Sequence, residues 1–124
     1  EATMRRVFGE TAWPRFDLAF LGLGKDGHTA SLFPGGKAVS EKTAWAAAAY
    51  ALSEQLRSRL TLTPPVISAA RKAVFLVVGA DKSERLRELM EEDFPPEKMP
   101  AKAVQPTDGE LIVLADSAAA SRLA

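Results

Sequence analysis

Phe16-Asp17-Leu18-Ala19-Phe20-Leu21-Gly22-Leu23-Gly24-Lys25-Asp26-Gly27-His28 is the stretch on which the fold turns. Its first eight residues are nearly continuous in apolar character and are closed by glycine, the pattern of a buried strand. Residues 73–78 repeat it with β-branched side chains and Gly79 at the end, and residues 111–114 form a third such run. Unbroken apolar character predicts burial on both faces, as in a parallel sheet covered by helices. Helical patterns fall between the runs. Residues 83–92 place Leu86, Leu89 and Met90 on one face, and Pro95-Pro96 forbids continuation. Pro64 and Pro65 make a good helix start ahead of residues 66–70. Residues 117–123 read as an alanine-rich closing helix with Asp116 as N-cap. This alternation predicts an α/β fold with a mainly parallel sheet. Ligands of such sheets gather at the carboxyl ends of the strands, here Leu23-Gly24, Val78-Gly79 and Leu114-Ala115.

Residues 44–60 are ambiguous. Four consecutive alanines followed by Leu52, Gln55 and Leu56 favour helix by propensity. Trp45 and Tyr50 flanking small residues also fit a strand in a crowded sheet. Residues 34–42 and 94–106 read as surface loops. The chain has 124 residues, 16 Lys+Arg against 16 Asp+Glu, one His and no Cys. One domain spanning residues 1–124 is the expectation, large enough to bury a core without staples. Balanced charge predicts no nucleic-acid partner. Absence of Cys excludes a disulfide scaffold, a zinc–thiolate site and a thiol nucleophile, and fits a cytoplasmic protein. The longest apolar stretch, residues 44–52, is far short of a membrane span, and no signal segment opens the chain.

Gly22-Leu23-Gly24-Lys25-Asp26-Gly27 formally matches G-x-G-x-x-G after a strand, but its context departs from the dinucleotide fingerprint. Pro34-Gly35-Gly36 ends any following helix within about two turns, and no acid stands where a ribose partner belongs. What remains is a glycine loop that presents Asp26 and His28 at a strand end. Such a loop opening a short helix makes an anion or oxyanion cradle. His28 reads either as an ordinary loop histidine or as a general base, since imidazole titrates near neutrality. Lys82, after a strand and at a helix start, is either solvated or a phosphate ligand. Arg59 is either a surface arginine or a second phosphate contact. One His and no Cys cannot build a histidine-rich metal site, although a carboxylate-held Mg²⁺ stays open. No nucleophile elbow and no Walker A spacing occur.

Residues 17–35, running through Gly22-Leu23-Gly24-Lys25-Asp26-Gly27-His28-Thr29-Ala30-Ser31-Leu32-Phe33-Pro34-Gly35, resemble the signature segment of 6-phosphogluconolactonases. Arg59-Leu60-Thr61-Leu62-Thr63 before a proline-led helix, and Val77-Val78-Gly79-Ala80-Asp81-Lys82, resemble that family's next two blocks. The resemblance implies a three-layer α/β/α sandwich, shared with glucosamine-6-phosphate deaminases and ribose-5-phosphate isomerases. The deaminases carry a related loop but continue into Asn-Glu-Pro, whereas Thr29-Ala30-Ser31-Leu32-Phe33-Pro34 sides with the lactonases. A strand and then a loop before Arg59 are implied across residues 44–60.

The implied activity is cofactor-free hydrolysis of 6-phospho-glucono-1,5-lactone in the oxidative pentose phosphate route. His28 is implied as the base, with Asp26 holding the loop or a sugar hydroxyl. Gly22, Gly24, Lys25 and Gly27 are implied as substrate-binding, with loop N–H groups facing the oxyanion. Lys82 and Arg59 are implied as phosphate ligands. Glucosamine-6-phosphate deamination and sugar-phosphate binding without turnover are the competing readings. Family members run to about twice this length. Their N-terminal half, with a Gly-Gly phosphate loop and an Asp-Glu-Arg segment, has no counterpart here. The chain is therefore expected to be a C-terminal portion of a lactonase-like domain. An unprotected sheet edge would then invite self-association.

Overall fold

The computed structural model describes residues 1–51 and 58–124. In chain order it contains α1 (Ala2–Phe8), β1 (Leu18–Gly22), β2 (Ala46–Tyr50), β3 (Ser58–Leu62), α2 (Pro64–Ser68), β4 (Lys72–Val77), α3 (Ser83–Glu91) and β5 (Glu110–Ala115). Four short 3₁₀ turns, Lys37–Ser40, Ala80–Lys82, Pro100–Ala103 and Ala119–Arg122, lie between or after them. Strands β1, β4 and β5 form one sheet in the order β1-β4-β5 with both pairings parallel. The α/β class with a mainly parallel sheet is as expected from the three apolar runs.

Paired residues of neighbouring strands share a face, and residues two apart along a strand do so as well. One face therefore carries Leu21 of β1, Ala73, Phe75 and Val77 of β4, and Val113 of β5. These pack with Ile67 of α2, Leu86 of α3, and Ala101 and Val104 into the main core. The opposite face carries Leu18, Phe20, Leu76 and Leu114, all exposed. Burial on both faces, expected from the continuous apolar runs, is thus met on the first face apart from Leu111 at its edge, whereas on the second face Val74, between Phe20 and Ile112, is buried and its apolar neighbours are not. Composition along a strand reports what the strand can bury, not what covers it.

The alanine run of residues 46–49 is strand, not helix. Strand β2 pairs antiparallel with β3, Ala46 opposite Leu62 and Ala49 opposite Arg59. Its entry is anchored by Trp45, fully buried, whose Nε1–H donates to the Ala12 carbonyl at 2.9 Å. Long-range pairing overrides helix propensity here. The strand implied ahead of Arg59 is β2; Arg59 itself lies inside β3, and residues 52–57, where the implied loop falls, lie outside the described residues. The two segments expected as surface loops contribute to the interior. Ala38 and Val39 are buried on the first, and Met99, Pro100, Ala101 and Val104 on the second. The closing segment is not an α-helix but a 3₁₀ turn, because the few residues after β5 close i→i+3 bonds such as Leu123 N–H to Ala120 C=O, at 3.0 Å. Among the described residues no helix is long and apolar enough to cross a membrane.

Candidate functional site

Because β1, β4 and β5 run parallel, their carboxyl ends open on the same side of the sheet. The segments leaving those ends carry Asp26 and His28, then Lys82, then Asp116. The first is the glycine loop. Its Gly24 N–H donates to the His28 carbonyl at 2.8 Å and its Gly27 N–H to the Gly24 carbonyl at 3.0 Å, folding residues 24–28 into a closed turn. A Cβ on Gly24 would fall on the His28 ring and lie 2.7 Å from Asp26 Oδ1. Gly27 has φ of 87°, the left-handed region, and a Cβ there would meet Met99 Sδ at 2.6 Å. Both glycines are required by what packs against them.

Asp26 Oδ1 accepts the His28 main-chain N–H at 3.0 Å and lies 2.5 Å from His28 Nδ1. Partial burial pushes the Asp26 carboxyl up. The bonds from the His28 N–H and ring, and the charge on that ring, more than offset this and hold it below the usual carboxylate range. An ionised carboxylate only accepts, so Nδ1 is the donor, and in the neutral form of the imidazole the lone pair lies on Nε2. The imidazole is about one-third exposed and packs against Phe33 with ring centroids 5.0 Å apart. Thr29 ties the loop back to the strand by donating from Oγ1 to the Gly22 carbonyl at 2.8 Å.

Lys82 donates its ammonium to the Leu23 carbonyl at 2.8 Å, joining the turn after β4 to the end of β1. Arg85, in the first turn of α3, donates from Nε to the Lys25 carbonyl at 2.9 Å. Lys25 pairs with Asp81 at 3.2 Å. An exposed pair of this kind is worth only about 0–1 kcal/mol, so the Lys25 ammonium is free to exchange to another anion. Asp116, at the end of β5, accepts the Gly79 N–H at 3.1 and 3.2 Å and the Ala119 N–H at 2.8 Å. It closes the C-terminal turn as expected, and it also fixes the turn that delivers Lys82.

The structure therefore brings Asp26, His28, Lys25 and Lys82 together at one sheet end, with Gly22, Gly24 and Gly27 forming the backbone beneath them. Two expectations change. No helix follows the loop; Thr29 bridges to Leu32 instead, and Leu32 is fully buried. The N–H groups of Gly24 and Gly27 are engaged inside the loop, so the oxyanion cradle cannot be built from those two donors. Arg59 sits on the face of β3 that also carries Thr61, whose Oγ1 accepts the Ser31 N–H at 3.2 Å. That contact brings β3 to the loop following His28, but no ion pair holds Arg59 among the described residues.

Phe33, Arg85 and the second role of Asp116 are site features that pattern reading missed. Nothing in the spacing distinguishes Arg85 from the other polar residues on the wet side of α3. Among the described residues no group of three or more potential ligands could hold a metal ion.

The family model for glucosamine-6-phosphate isomerases/6-phosphogluconolactonase matches residues 1–113. A 6-phosphogluconolactonase of Synechocystis sp. is 43% identical over 111 residues, covering 90% of this chain and 45% of that protein. The Homo sapiens 6-phosphogluconolactonase is 38% identical over 120 residues, covering 97% of this chain and 46% of its own length. Among solved structures, the 6-phosphogluconolactonase from Trypanosoma cruzi superposes with a TM-score of 0.85 at 30% identity, covering 98% of this chain and 48% of that one. The chain spans about half the length of the curated relatives it matches.

Proposed function

The chain belongs to the glucosamine-6-phosphate isomerase/6-phosphogluconolactonase family, and on that premise we propose that its site hydrolyses 6-phospho-D-glucono-1,5-lactone to 6-phospho-D-gluconate. The observation that carries this reading is the Asp26–His28 pair, which engages Nδ1 and leaves Nε2 as the other ring nitrogen, with Lys82 bound to the carbonyl of Leu23 at the same sheet end.

A δ-lactone needs no cofactor for hydrolysis, because its ring carbonyl is already electrophilic. His28 Nε2 takes one proton from a water molecule as that water's oxygen bonds to C1. The tetrahedral intermediate then collapses with cleavage of the bond between C1 and the ring oxygen. The proton on His28 passes to the departing ring oxygen, which becomes the 5-hydroxyl, the imidazole returns to its starting state, and the carboxylic acid formed at C1 releases its proton to solvent to give the gluconate. Asp26 holds the Nδ1–H tautomer and stabilises the imidazolium formed in between. Lys82, with Lys25 and Arg59, holds the phosphate and so sets where C1 lies. Phe33, from the segment whose sequence separates lactonases from deaminases, supports the imidazole from one side.

The test is lactone hydrolysis above the spontaneous rate, comparing wild type with His28→Asn, alongside ammonia release from glucosamine 6-phosphate. Turnover of the lactone that depends on His28, without ammonia, is the expected result. Ammonia release, or lactone turnover indifferent to His28, would overturn the assignment.

A further inference from the structure

The peptide groups on either side of Asp26 are both pinned, and by different means. After Asp26, the Gly27 N–H donates to the Gly24 carbonyl at 3.0 Å, a bond internal to the loop. Before it, the Lys25 carbonyl accepts from Arg85 Nε at 2.9 Å, a contact from α3 that lies 60 positions away in sequence. Among the described residues Arg85 is the one donor to that carbonyl. A peptide group is planar, so fixing the Lys25 carbonyl also fixes the amide from which Asp26 departs, and with it the direction of the Asp26 side chain.

The stem of Arg85 closes on the same loop. A Cβ built on Gly27 would stand 3.6 Å from Arg85 Cδ, so the stem lies against the space that Gly27 leaves open. Lys25 and Gly27 bracket Asp26, and one arginine therefore meets the loop on both sides of it. The guanidinium is itself held, since its Nη1 pairs with Glu88, whose side chain is only 16% exposed. A planar fork oriented in advance loses little freedom when it bonds. Arg87, also on α3, instead pairs with Glu84 and Glu92.

We infer that Arg85 is a positioning residue of the site: through the Lys25 carbonyl it sets where Asp26 stands, and through Asp26 it selects the Nδ1–H tautomer of His28. Glu88 aims the guanidinium at the far end of this chain of contacts. The margin is small, because Asp26 Oδ1 faces both the His28 main-chain N–H and ring Nδ1. A displacement of about 1 Å in a positioned group can cost about 10²-fold in rate, so even partial loosening is measurable. The inference rests on the lactonase reading for its effect on turnover, whereas the tautomer is read on the chain without substrate.

His28 is the one histidine of the chain, so imidazole ¹⁵N chemical shifts report on it alone. The test records them at about pH 9, where an imidazole is neutral, in wild type, Arg85→Met and Arg85→Gln. Glutamine puts its amide nitrogen at the place of Nε and keeps a donor; methionine keeps the stem and removes it. Both are good helix formers, and Arg85→Ala repeats the comparison should the methionine variant fail to fold, with circular dichroism as the check. The expected result is a dominant Nδ1–H tautomer in wild type and Arg85→Gln. In Arg85→Met the Nε2–H share should rise at least about 3-fold, with kcat for the lactone down about 10-fold and KM within about 2-fold. A tautomer unchanged in Arg85→Met, with any effect confined to the unfolding midpoint, would overturn the proposal. So would a raised KM at unchanged kcat, which marks direct contact with substrate. Lactone turnover absent from wild type, with a tautomer that still follows Arg85, would sink the catalytic reading and uphold the positioning role.

Discussion

The Lys82 ammonium, delivered by the turn after β4, donates to the Leu23 carbonyl at the end of β1, 2.8 Å away. One bond therefore joins the phosphate-binding candidate to the loop that carries the candidate base. Replacing Lys82 with Met keeps the stem and removes the charge. Charge-assisted hydrogen bonds contribute about 1.5–3 kcal/mol, so KM for the lactone should rise about 10- to 100-fold with a smaller change in kcat. Steady-state kinetics decide it, and an unchanged KM would remove Lys82 from phosphate binding.

Asp26→Asn tests the pairing with His28. The amide can satisfy Nδ1 with the wrong tautomer, placing the proton on Nε2, where the base must be free. The expected loss is about 10²-fold or more in kcat with KM little changed. The pH profile is a second readout. Because the folded Asp26 carboxyl is held below its usual range, its support for His28 is fully present above the ordinary carboxylate pKa and fades only as pH falls through the lowered value. A variant that keeps wild-type kcat across neutral pH would show that Asp26 does not orient the base.

Gly24→Ala separates site geometry from stability. Its Cβ would fall where the His28 ring and Asp26 carboxylate lie, so the imidazole must move off its partner. Activity should drop about 10²-fold, as expected when a positioned base is lost. Gly27→Ala instead strains a φ of 87° against buried Met99 and should cost about 1–3 kcal/mol in denaturant unfolding. If Gly24→Ala retained full turnover, the ring position seen here would not be the working one.

Glu41 supplies a pH test away from the site. Its Oε1 accepts the N–H groups of Ala44 at 3.0 Å, Thr43 at 2.7 Å and Lys42 at 2.9 Å, and the Thr43 hydroxyl at 2.9 Å. Led by the Ala44 and Thr43 N–H groups, these bonds lower its pKa from 4.5 to about 2. A carboxylate lowered on folding stabilises above its unfolded pKa and loses that contribution as pH falls toward the folded value. The melting-temperature gap between wild type and Glu41→Gln should therefore be full above pH 4.5 and close toward pH 2. A gap that stayed constant over that window would count against the turn acting through the ionised carboxylate.

Asp116→Ala probes the support behind Lys82. It leaves the Gly79 and Ala119 N–H groups without their acceptor, at a cost of about 1–3 kcal/mol. KM should rise with the loosened turn, and Asp116→Asn, whose side-chain carbonyl still accepts, should recover most of it. Equal kinetics in the two variants and wild type would confine Asp116 to a structural role.

The three parallel strands, the helix after β4 and the loop bearing Asp26 and His28 were legible in residue order because each rests on local chemistry. A continuous apolar run, an amphipathic repeat and a glycine pair before a polar turn declare themselves within about ten residues. Partnerships across the chain do not. That residues 46–49 pair with β3, that Met99 presses on Gly27, that Arg85 and Lys82 clamp the loop from β1, and that Phe20 stands uncovered all depend on residues tens of positions apart. Such contacts are settled by which surfaces meet when the chain compacts. The single-chain pattern carries the propensity for a strand or a turn, and packing alone selects its neighbour.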